Sequence, residues 1–136
     1  MKIIALVKQI LDPAGISVRR DKERVFINKE EYIVGPGSKA AIEAALRVKG
    51  EGEEHTVIAL SMGRPQAEDA LREALAMGCD SAYLVTDKAL KDADTAVAVR
   101  ALAAAVLKLG GADLIIAGRE SGDTGTGQVG PRLAET

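Results

Sequence analysis

The distribution of apolar residues constrains this sequence more than any other feature. Three continuous apolar runs, each of the length of one strand, occur at "KIIALVK" (residues 2–8), "HTVIALSMG" (55–63) and "ADLIIAG" (112–118). A run without polar alternation is typical of a strand that is buried on both faces, as in a parallel sheet. A shorter run, "SAYLVTD" (81–87), predicts a fourth strand of the same kind.

Between these runs, apolar residues recur at the spacing of an amphipathic helix. Ser38 is the predicted N-cap of the first helix. Pro65 lies just inside the start of the second helix and Gly78 lies just past its end, which is the expected asymmetry. The four predicted helices cover residues 41–48, 67–75 and 99–109, with a last one beginning near 127–131.

The alternation of strands and helices predicts an α/β fold, a three-layer α/β/α sandwich around a mainly parallel sheet. Right-handed crossovers favour the strand order 3-2-1-4, in which the first and fourth strands are neighbours. A fifth strand would then be missing or supplied elsewhere. Residues 16–28, "ISVRRDKERVFIN", contain two β-like runs around the charged turn "DKER" and predict a surface β-hairpin.

Length and composition narrow the possible functions. The 136 residues predict a single domain, residues 1–136. A net charge of −2 and an aromatic content of 2% argue against nucleic acid as a partner. Cys79 and His55 are the sole residues of their types, which argues against a disulfide or a metal site. No apolar run has the length of a membrane span, so we expect no membrane insertion and a cytoplasmic location.

The sequence offers no catalytic residue. It shows no nucleophile next to a base and no convergent pair of carboxylates. The triplet "DTG" at 123–125 matches the aspartic proteases, but that chemistry needs two such aspartates on a β-rich scaffold. Hydrolysis or acyl transfer therefore has no candidate residues in this sequence.

The stretch "GRESGDTGTGQVGP" (118–131) is the most unusual part of the chain. Gly125, Gly127 and Gly130 match the pattern G-x-G-x-x-G, but they follow the last predicted strand and no acidic ribose ligand follows at the usual spacing, which argues against a dinucleotide fingerprint. Glycines still permit a close approach of the backbone to a ligand, and a helix N-terminus attracts phosphate. The residue types leave two possibilities open: a phosphate cradle, or a mobile loop with Thr126 as N-cap.

Other candidates lie at the same predicted edge of the sheet. Lys8 ends the first strand, Met62 ends the second, and the turn at residues 35–38, "GPGS", precedes the first helix. In the order 3-2-1-4, the glycine stretch borders the switch point between the first and fourth strands, where ligands bind in open sheets. Each candidate also has a structural explanation: a solvated strand end, core filling, or a plain turn.

Several segments together resemble one known family. The segments "ALVKQILD", "GPGSKAAIEAALRVK", "VIALSMGRPQAEDALREALAMGCDSAYLVTD" and "ADLIIAGRESGDTGTGQVGP" resemble the beta (small) subunit of electron-transfer flavoprotein, over essentially the whole chain. The resemblance implies a carrier, not an enzyme, that binds AMP or a second FAD and pairs with an alpha subunit. It would pass electrons from acyl-CoA or other dehydrogenases to an acceptor. Members of that family are longer, so the resemblance implies an amino-terminal nucleotide-binding part.

The resemblance also implies the cofactor-binding residues. Leu6 and Lys8 match the adenosine side of the site, and Met62 matches a position beside the nucleotide. The turn before the first helix contributes Gly35, Pro36, Gly37 and Ser38. The phosphate and ribose loop contributes Asp123, Thr124, Gly125, Thr126, Gly127, Gln128, Val129 and Gly130. The alternative interpretation is an ATP- or AMP-binding module like the universal stress proteins, to whose phosphate loop "GDTGTG" is loosely similar.

Overall fold

The computed structural model describes residues 1–19, 23–51 and 54–136 of the chain. Within these ranges the strands are β1 (Lys2–Val7), β2 (Gln9–Leu11), β3 (Ile16–Arg19), β4 (Arg24–Ile27), β5 (Tyr32–Val34), β6 (Thr56–Met62), β7 (Ser81–Val85) and β8 (Leu114–Ile116). The helices are α1 (Pro36–Lys49), α2 (Glu68–Met77), α3 (Thr95–Lys108) and α4 (Val129–Glu135). Short 3-10 turns lie at Pro13–Gly15, Pro65–Ala67 and Lys88–Leu90.

The central sheet is parallel and has the order β7-β6-β1-β8. This is the predicted order 3-2-1-4, and it confirms the α/β/α sandwich. β1 lies between β6 and β8, with Ile4 opposite Ile58 on one side and Ile115 on the other. β8 has three residues, fewer than the apolar run 112–118 suggested. The fifth strand stays a prediction.

The two faces of β1 build two separate cores. Ile3, Ala5 and Val7 pack with residues of α1 and α2, while Ile4 and Leu6 pack with residues of α3 and α4. Because successive strand residues point to opposite faces, an uninterrupted apolar run is needed where both faces are covered. The helices therefore form the two outer layers of the sandwich.

The helix boundaries confirm most of the expectations, with two corrections. Pro65 does not lie inside α2: it starts the 3-10 turn Pro65–Ala67, and α2 begins at Glu68. Ser38 is not an N-cap: α1 begins at Pro36, Gly35 is the cap residue, and Ser38 lies buried in the first helical turn. Proline has the backbone angle of a first helical residue, so the helix starts three residues earlier than a cap at Ser38 would place it. Gly78 has φ of 120° and ends α2, as predicted.

The predicted surface hairpin is present as β3 and β4, which pair antiparallel. Its turn residues 20–22, within the predicted "DKER" turn, lie outside the described residues. The sequence did not predict β2 and β5, which form a second antiparallel pair of three residues each. Strands this short carry too few residues for their period to be recognised.

The described residues were also compared with the requirements of a membrane-spanning helix and of a metal site. No helix in them combines the length and the apolar character that crossing a bilayer would require. In the same ranges, no group of three or more His, Cys, Asp or Glu side chains is placed to hold a metal ion.

Candidate functional site

A cavity of about 370 Å³ opens at the carboxyl edge of the sheet. β1 and β8 end there side by side, at Val7 and Ile116, although these two residues are 109 positions apart in the sequence. In open α/β sheets this switch point is the usual place for a ligand, because the connections on either side diverge there. We call it the switch-point cavity.

The inner wall of the switch-point cavity is apolar. Leu6 of β1 and Leu60 and Met62 of β6 contribute to it, together with Leu102 of α3 and Val129 of α4. These side chains belong to, or pack on, the core on the α3 and α4 face of the sheet. A flat apolar group such as a heterocyclic base could bury its surface against such a wall.

The outer rim of the cavity is polar. The polar lining consists of Lys8, Arg119, Glu120, Ser121 and, in the loop between β8 and α4, Thr124, Thr126 and Gln128, with the buried Ser38 beneath them. Hydroxyl, amide and guanidinium groups can donate hydrogen bonds to the oxygens of a sugar or a phosphate. The cavity therefore combines an apolar wall with a few convergent donors, the usual chemistry of a small-ligand site.

Glycines shape the loop that closes the cavity. Gly125 and Gly127 have φ of 59° and 62°, in the left-handed region that side chains other than glycine rarely adopt. Gly118 packs directly against the first turn of α1: a Cβ there would lie 2.7 Å from the carbonyl carbon and oxygen of Gly37. The loop thus needs glycine for two different reasons, its backbone path and its contact with α1.

Lys8 fastens the same loop to the end of β1. Its Nζ donates to Asp123 Oδ1 at 2.8 Å, to Ser121 Oγ at 3.3 Å and to Thr124 Oγ1 at 3.5 Å. Asp123 Oδ1 also accepts from the Thr124 N–H at 2.7 Å. A single amine therefore holds three side chains of a glycine-rich loop in place.

The charge of Asp123 depends on these contacts. Partial burial raises the pKa of Asp123, but hydrogen bonds from Lys8, Ser121 and the Thr124 N–H together with the charge of Lys8 outweigh it. The pKa of Asp123 is therefore lower than its ordinary value, and the group is ionised at neutral pH. Lys8 balances the charge of this carboxylate, whereas Glu120 and Asp94, which also line the cavity, have no ion-pair partner among the described residues.

Ser38 connects α1 to β1. Its Oγ accepts a hydrogen bond from the Lys8 N–H at 2.9 Å, and the Gly35 N–H donates to the Lys8 carbonyl at 3.0 Å. Both contacts use the backbone of the residue that follows β1, where the sheet no longer pairs it. The start of α1 is thereby fixed against the residue that carries the loop anchor.

The structure brings most of the predicted residues to one place. Those that line the switch-point cavity are Leu6, Lys8, Ser38, Met62, Thr124, Thr126, Gly127, Gln128 and Val129. Pro36, Gly37, Asp123 and Gly125 border a second cavity, of about 470 Å³, on the other side of the loop. Gly35 caps α1 and Gly130 lies in the first turn of α4, and neither residue lines either of these two cavities.

The sequence did not single out the part of the wall contributed by α3. Ala93, Asp94, Thr95 and Ala98 line the cavity beside Leu102. The sequence could have predicted this wall, because a helix that follows a strand of a parallel sheet starts at the carboxyl edge, and Asp94 is a typical N-cap residue. In the structure Asp94 caps α3 by accepting from the Val97 N–H at 2.9 Å. Arg119 and Ser121, inside the quoted glycine stretch, were also not among the predicted site residues.

The fold and the site define an α/β domain with a ligand-sized cavity at the switch point of a parallel sheet. A family model described as "Electron transfer flavoprotein domain" matches residues 24–136. The chain belongs to the electron transfer flavoprotein family, as the resemblance in the sequence indicated.

Curated relatives match the chain from end to end. It is 42% identical to the electron transfer flavoprotein subunit beta of Thermoanaerobacterium thermosaccharolyticum, over 99% of this chain and 51% of that protein. It is 38% identical to the caffeyl-CoA reductase-Etf complex subunit CarD of Acetobacterium woodii, over 99% of this chain and 52% of that protein. It is 39% identical to the acryloyl-CoA reductase electron transfer subunit gamma of Anaerotignum propionicum, over 99% of this chain and 51% of that protein. The chain spans about half the length of these relatives.

Proposed function

We propose that this chain is the nucleotide-binding domain of an electron transfer flavoprotein beta subunit, and that the switch-point cavity holds AMP or FAD. The observation that carries the proposal is the cavity itself. Its volume of about 370 Å³ lies within the range of small-ligand pockets, roughly 300 to 1,000 Å³.

The residues of the cavity fit an adenine nucleotide. Leu6, Leu60 and Met62 offer an apolar surface to the base, and the thioether of Met62 suits the edge of an aromatic ring. Thr124, Thr126 and Gln128 are placed at the rim, where they can donate to ribose and phosphate oxygens. Arg119 also lines the cavity, and its guanidinium favours an anion.

The residues of this chain would bind and position the nucleotide. The apolar wall excludes water from the base, and the loop fastened by Lys8 supplies the polar contacts. When FAD is bound, its flavin supplies reversible electron acceptance, whereas AMP would be a structural group. In either case the chain is a carrier subunit and not an enzyme.

The proposal extends to partners and location. The names of the relatives describe subunits of an Etf complex and of a reductase, which supports pairing with an alpha subunit and exchange of electrons with acyl-CoA or other dehydrogenases. The acceptor is a further protein or quinone-linked carrier. We place this activity in the cytoplasm, consistent with an acidic chain that carries a single cysteine.

The direct test is to identify and titrate the nucleotide. The purified protein is denatured, the supernatant is analysed for AMP and FAD, and nucleotide-free protein is titrated with AMP, FAD and ATP by calorimetry. We expect one adenine nucleotide per chain, and a flavin absorbance band if it is FAD. Absence of any nucleotide, with none taken up on titration, would contradict the proposal. Preference for ATP with homodimerisation would favour the module similar to the universal stress proteins.

A matched pair of variants locates the site. Ala98 lines the cavity and Ala104 lies exposed on the same helix, α3. Ala98→Leu should weaken nucleotide binding by at least about tenfold because the added carbons occupy the cavity. Ala104→Leu should leave binding unchanged.

A further inference from the structure

The charged side chains that line the switch-point cavity balance one another. Lys8 and Arg119 are its basic residues, and Asp94 and Glu120 are its acidic ones, so the formal charge of the lining is zero (two minus two). Clefts that attract anionic ligands through their electric field are lined mainly by positive charge. An anion that enters this cavity therefore meets carboxylates as well as cations.

One of the two cations is already engaged by the protein itself. Lys8 Nζ lies 2.8 Å from Asp123 Oδ1, whereas Arg119 has no ion-pair partner among the described residues. A guanidinium suits a phosphate group, because two of its N–H groups can donate in parallel to two phosphate oxygens. Within the described ranges, the cavity lining therefore offers one unpaired cation to a phosphorylated ligand.

The two carboxylates lie on different sides of the cavity. Asp94 is at the start of α3, where its Oδ1 accepts from the Val97 N–H at 2.9 Å, and Glu120 is in the loop after β8. Glu120 also lines the second cavity, on the other side of the loop, together with Asp123. A chain of phosphates that leaves the switch-point cavity therefore passes a carboxylate whether it extends along α3 or along the loop.

We propose that Asp94 and Glu120 determine the charge of the nucleotide that the site accepts: they admit AMP or FAD and exclude nucleoside di- and triphosphates. AMP and the pyrophosphate of FAD carry about two negative charges at neutral pH, whereas ATP carries about four. The inference rests on the proposed function, because it concerns the ligand of the same cavity. Asp94 and Glu120 are its specificity-determining residues, and Arg119 is the ligand of the first phosphate.

Repulsion from the carboxylates grows with every charge that the ligand adds. Like charges repel in inverse proportion to their distance, and an apolar wall weakens this repulsion less than water does. For AMP, the attraction of Arg119 opposes the repulsion. The outer phosphates of ATP meet no further unpaired cation in the described cavity lining, so they add repulsion alone. Triphosphate sites of the P-loop type differ in this respect, because a lysine and several backbone N–H groups receive the phosphates.

The capping role of Asp94 does not explain its charge. An N-cap needs a side-chain oxygen that accepts a hydrogen bond, and asparagine provides one as well as aspartate does. Asp94→Asn therefore removes the charge and keeps the cap, and Glu120→Gln removes the charge at almost constant size. Both side chains are exposed, so neither variant disturbs a packed interior.

The test compares the affinities of AMP, ADP and ATP for the nucleotide-free chain by calorimetry. Divalent cations are left out, because Mg²⁺ binds to nucleotide phosphates and would neutralise part of their charge. We expect AMP to bind at least about tenfold more tightly than ATP, with ADP between them. A higher salt concentration should reduce the ratio of the AMP affinity to the ATP affinity, since salt screens charges that are exposed to solvent.

Matched variants separate the charge of the ligand from its size. Asp94→Asn and Glu120→Gln should each raise the affinity for ATP relative to that for AMP at least about threefold, because the repulsion falls while the shape of the cavity is kept. The control is Glu54→Gln, which changes the net charge of the chain equally. Glu54 precedes β6 at the opposite edge of the sheet, so its replacement should leave the ratio unchanged.

Two results would overturn the inference and leave the proposed function intact. The first is equal binding of AMP and ATP by the wild type. The second is tighter binding of AMP with a ratio that Asp94→Asn and Glu120→Gln shift no more than Glu54→Gln does. Absence of binding for all three nucleotides would contradict the proposed function, and this inference with it.

Discussion

Gly37 and Gly118 meet backbone to backbone, so the first turn of α1 and the loop after β8 lie in direct contact. A Cβ on Gly118 would lie 2.7 Å from the Gly37 carbonyl, and a Cβ on Gly37 would lie 2.8 Å from the Glu120 carbonyl oxygen. Neither contact leaves room for a side chain, because backbone atoms on both sides cannot rotate away. The position of the cavity loop therefore depends on two glycines that are 81 residues apart in the chain.

Gly118→Ala should displace this loop. We expect a loss of about 1 to 3 kcal/mol in the free energy of unfolding from overpacking, and nucleotide binding at least about tenfold weaker. Calorimetry and urea denaturation measure the two effects. Gly122→Ala is the control in the same loop, because its Cβ would meet the flexible end of Ile10, at 3.1 Å from Cδ1. Identical behaviour of the two variants would mean that the glycine contact does not position the loop.

The Lys8–Asp123 pair should make a small acid-sensitive contribution to stability. The pKa of Asp123 in the folded chain is below its ordinary 3.8, so the contribution is complete above that value and is lost as the pH falls through the lower folded-state pKa. Both side chains are partly exposed, which limits the contribution to less than about 1 kcal/mol. Urea denaturation of the wild type and of Asp123→Asn, at several pH values below about 5, should show the steeper decline in the wild type.

A double-mutant cycle checks the cause of that decline. In a Lys8→Met background, Asp123→Asn should have a smaller effect than in the wild type, because the shared ion pair is already absent. Additive effects of the two substitutions would show that the ion pair is not what stabilises the loop.

Replacement by alanine should change the free energy of unfolding differently at two buried serines. Ser38 Oγ accepts from the Lys8 N–H, so Ser38→Ala should reduce the free energy of unfolding by about 1 kcal/mol. Ser61 Oγ is buried without a hydrogen-bond partner in the described part of the chain, so Ser61→Ala should be neutral or stabilising. Thermal and urea denaturation of both variants provide the comparison. A loss with Ser61→Ala as large as that with Ser38→Ala would show that Ser61 has a partner.

Removing the Asp80 side chain should lower the free energy of unfolding by more than the loss of its ion pair with Lys49 alone. Its Oδ2 accepts from the buried Val57 N–H at 2.7 Å, and its Oδ1 accepts from Lys49 Nζ at 2.6 Å. The hydrogen bond from Lys49 and then that from Val57 lower the pKa of Asp80. Asp80→Ala should cost about 1 to 2 kcal/mol because an interior N–H loses its acceptor, whereas Lys49→Met should cost less than about 1 kcal/mol. Equal costs, measured by urea denaturation, would assign the whole effect to the ion pair.

The sequence contained enough to predict the sheet and its order. Apolar runs such as residues 2–8 and 55–63 have no polar alternation, so both faces had to be covered, and right-handed connections then restrict the topology. The strand order in turn placed Lys8, Met62 and the glycine stretch at one edge, where the structure has them around a cavity.

The remaining features depend on contacts that a linear pattern does not contain. Ser38 is a residue type common at N-caps, but the helix already starts at Pro36. The hydroxyl of Ser38 therefore accepts from the Lys8 N–H instead of capping the helix. The anchoring of the loop by Lys8 joins residues more than a hundred positions apart. The first turn of α3 contains small residues, such as Ala98, that have no recognisable binding chemistry. They line the cavity only because the helix starts at the carboxyl edge of the sheet.

The central position of β1 also has a consequence for biosynthesis. This strand is translated before both of its neighbours in the sheet, residues 56–62 and 114–116, so one of its edges stays unpaired on the ribosome until the later neighbour has emerged. A nascent chain with an exposed apolar strand is prone to aggregation. The ligand site includes residues beyond β8, so it can close around a cofactor only after that segment has left the exit tunnel.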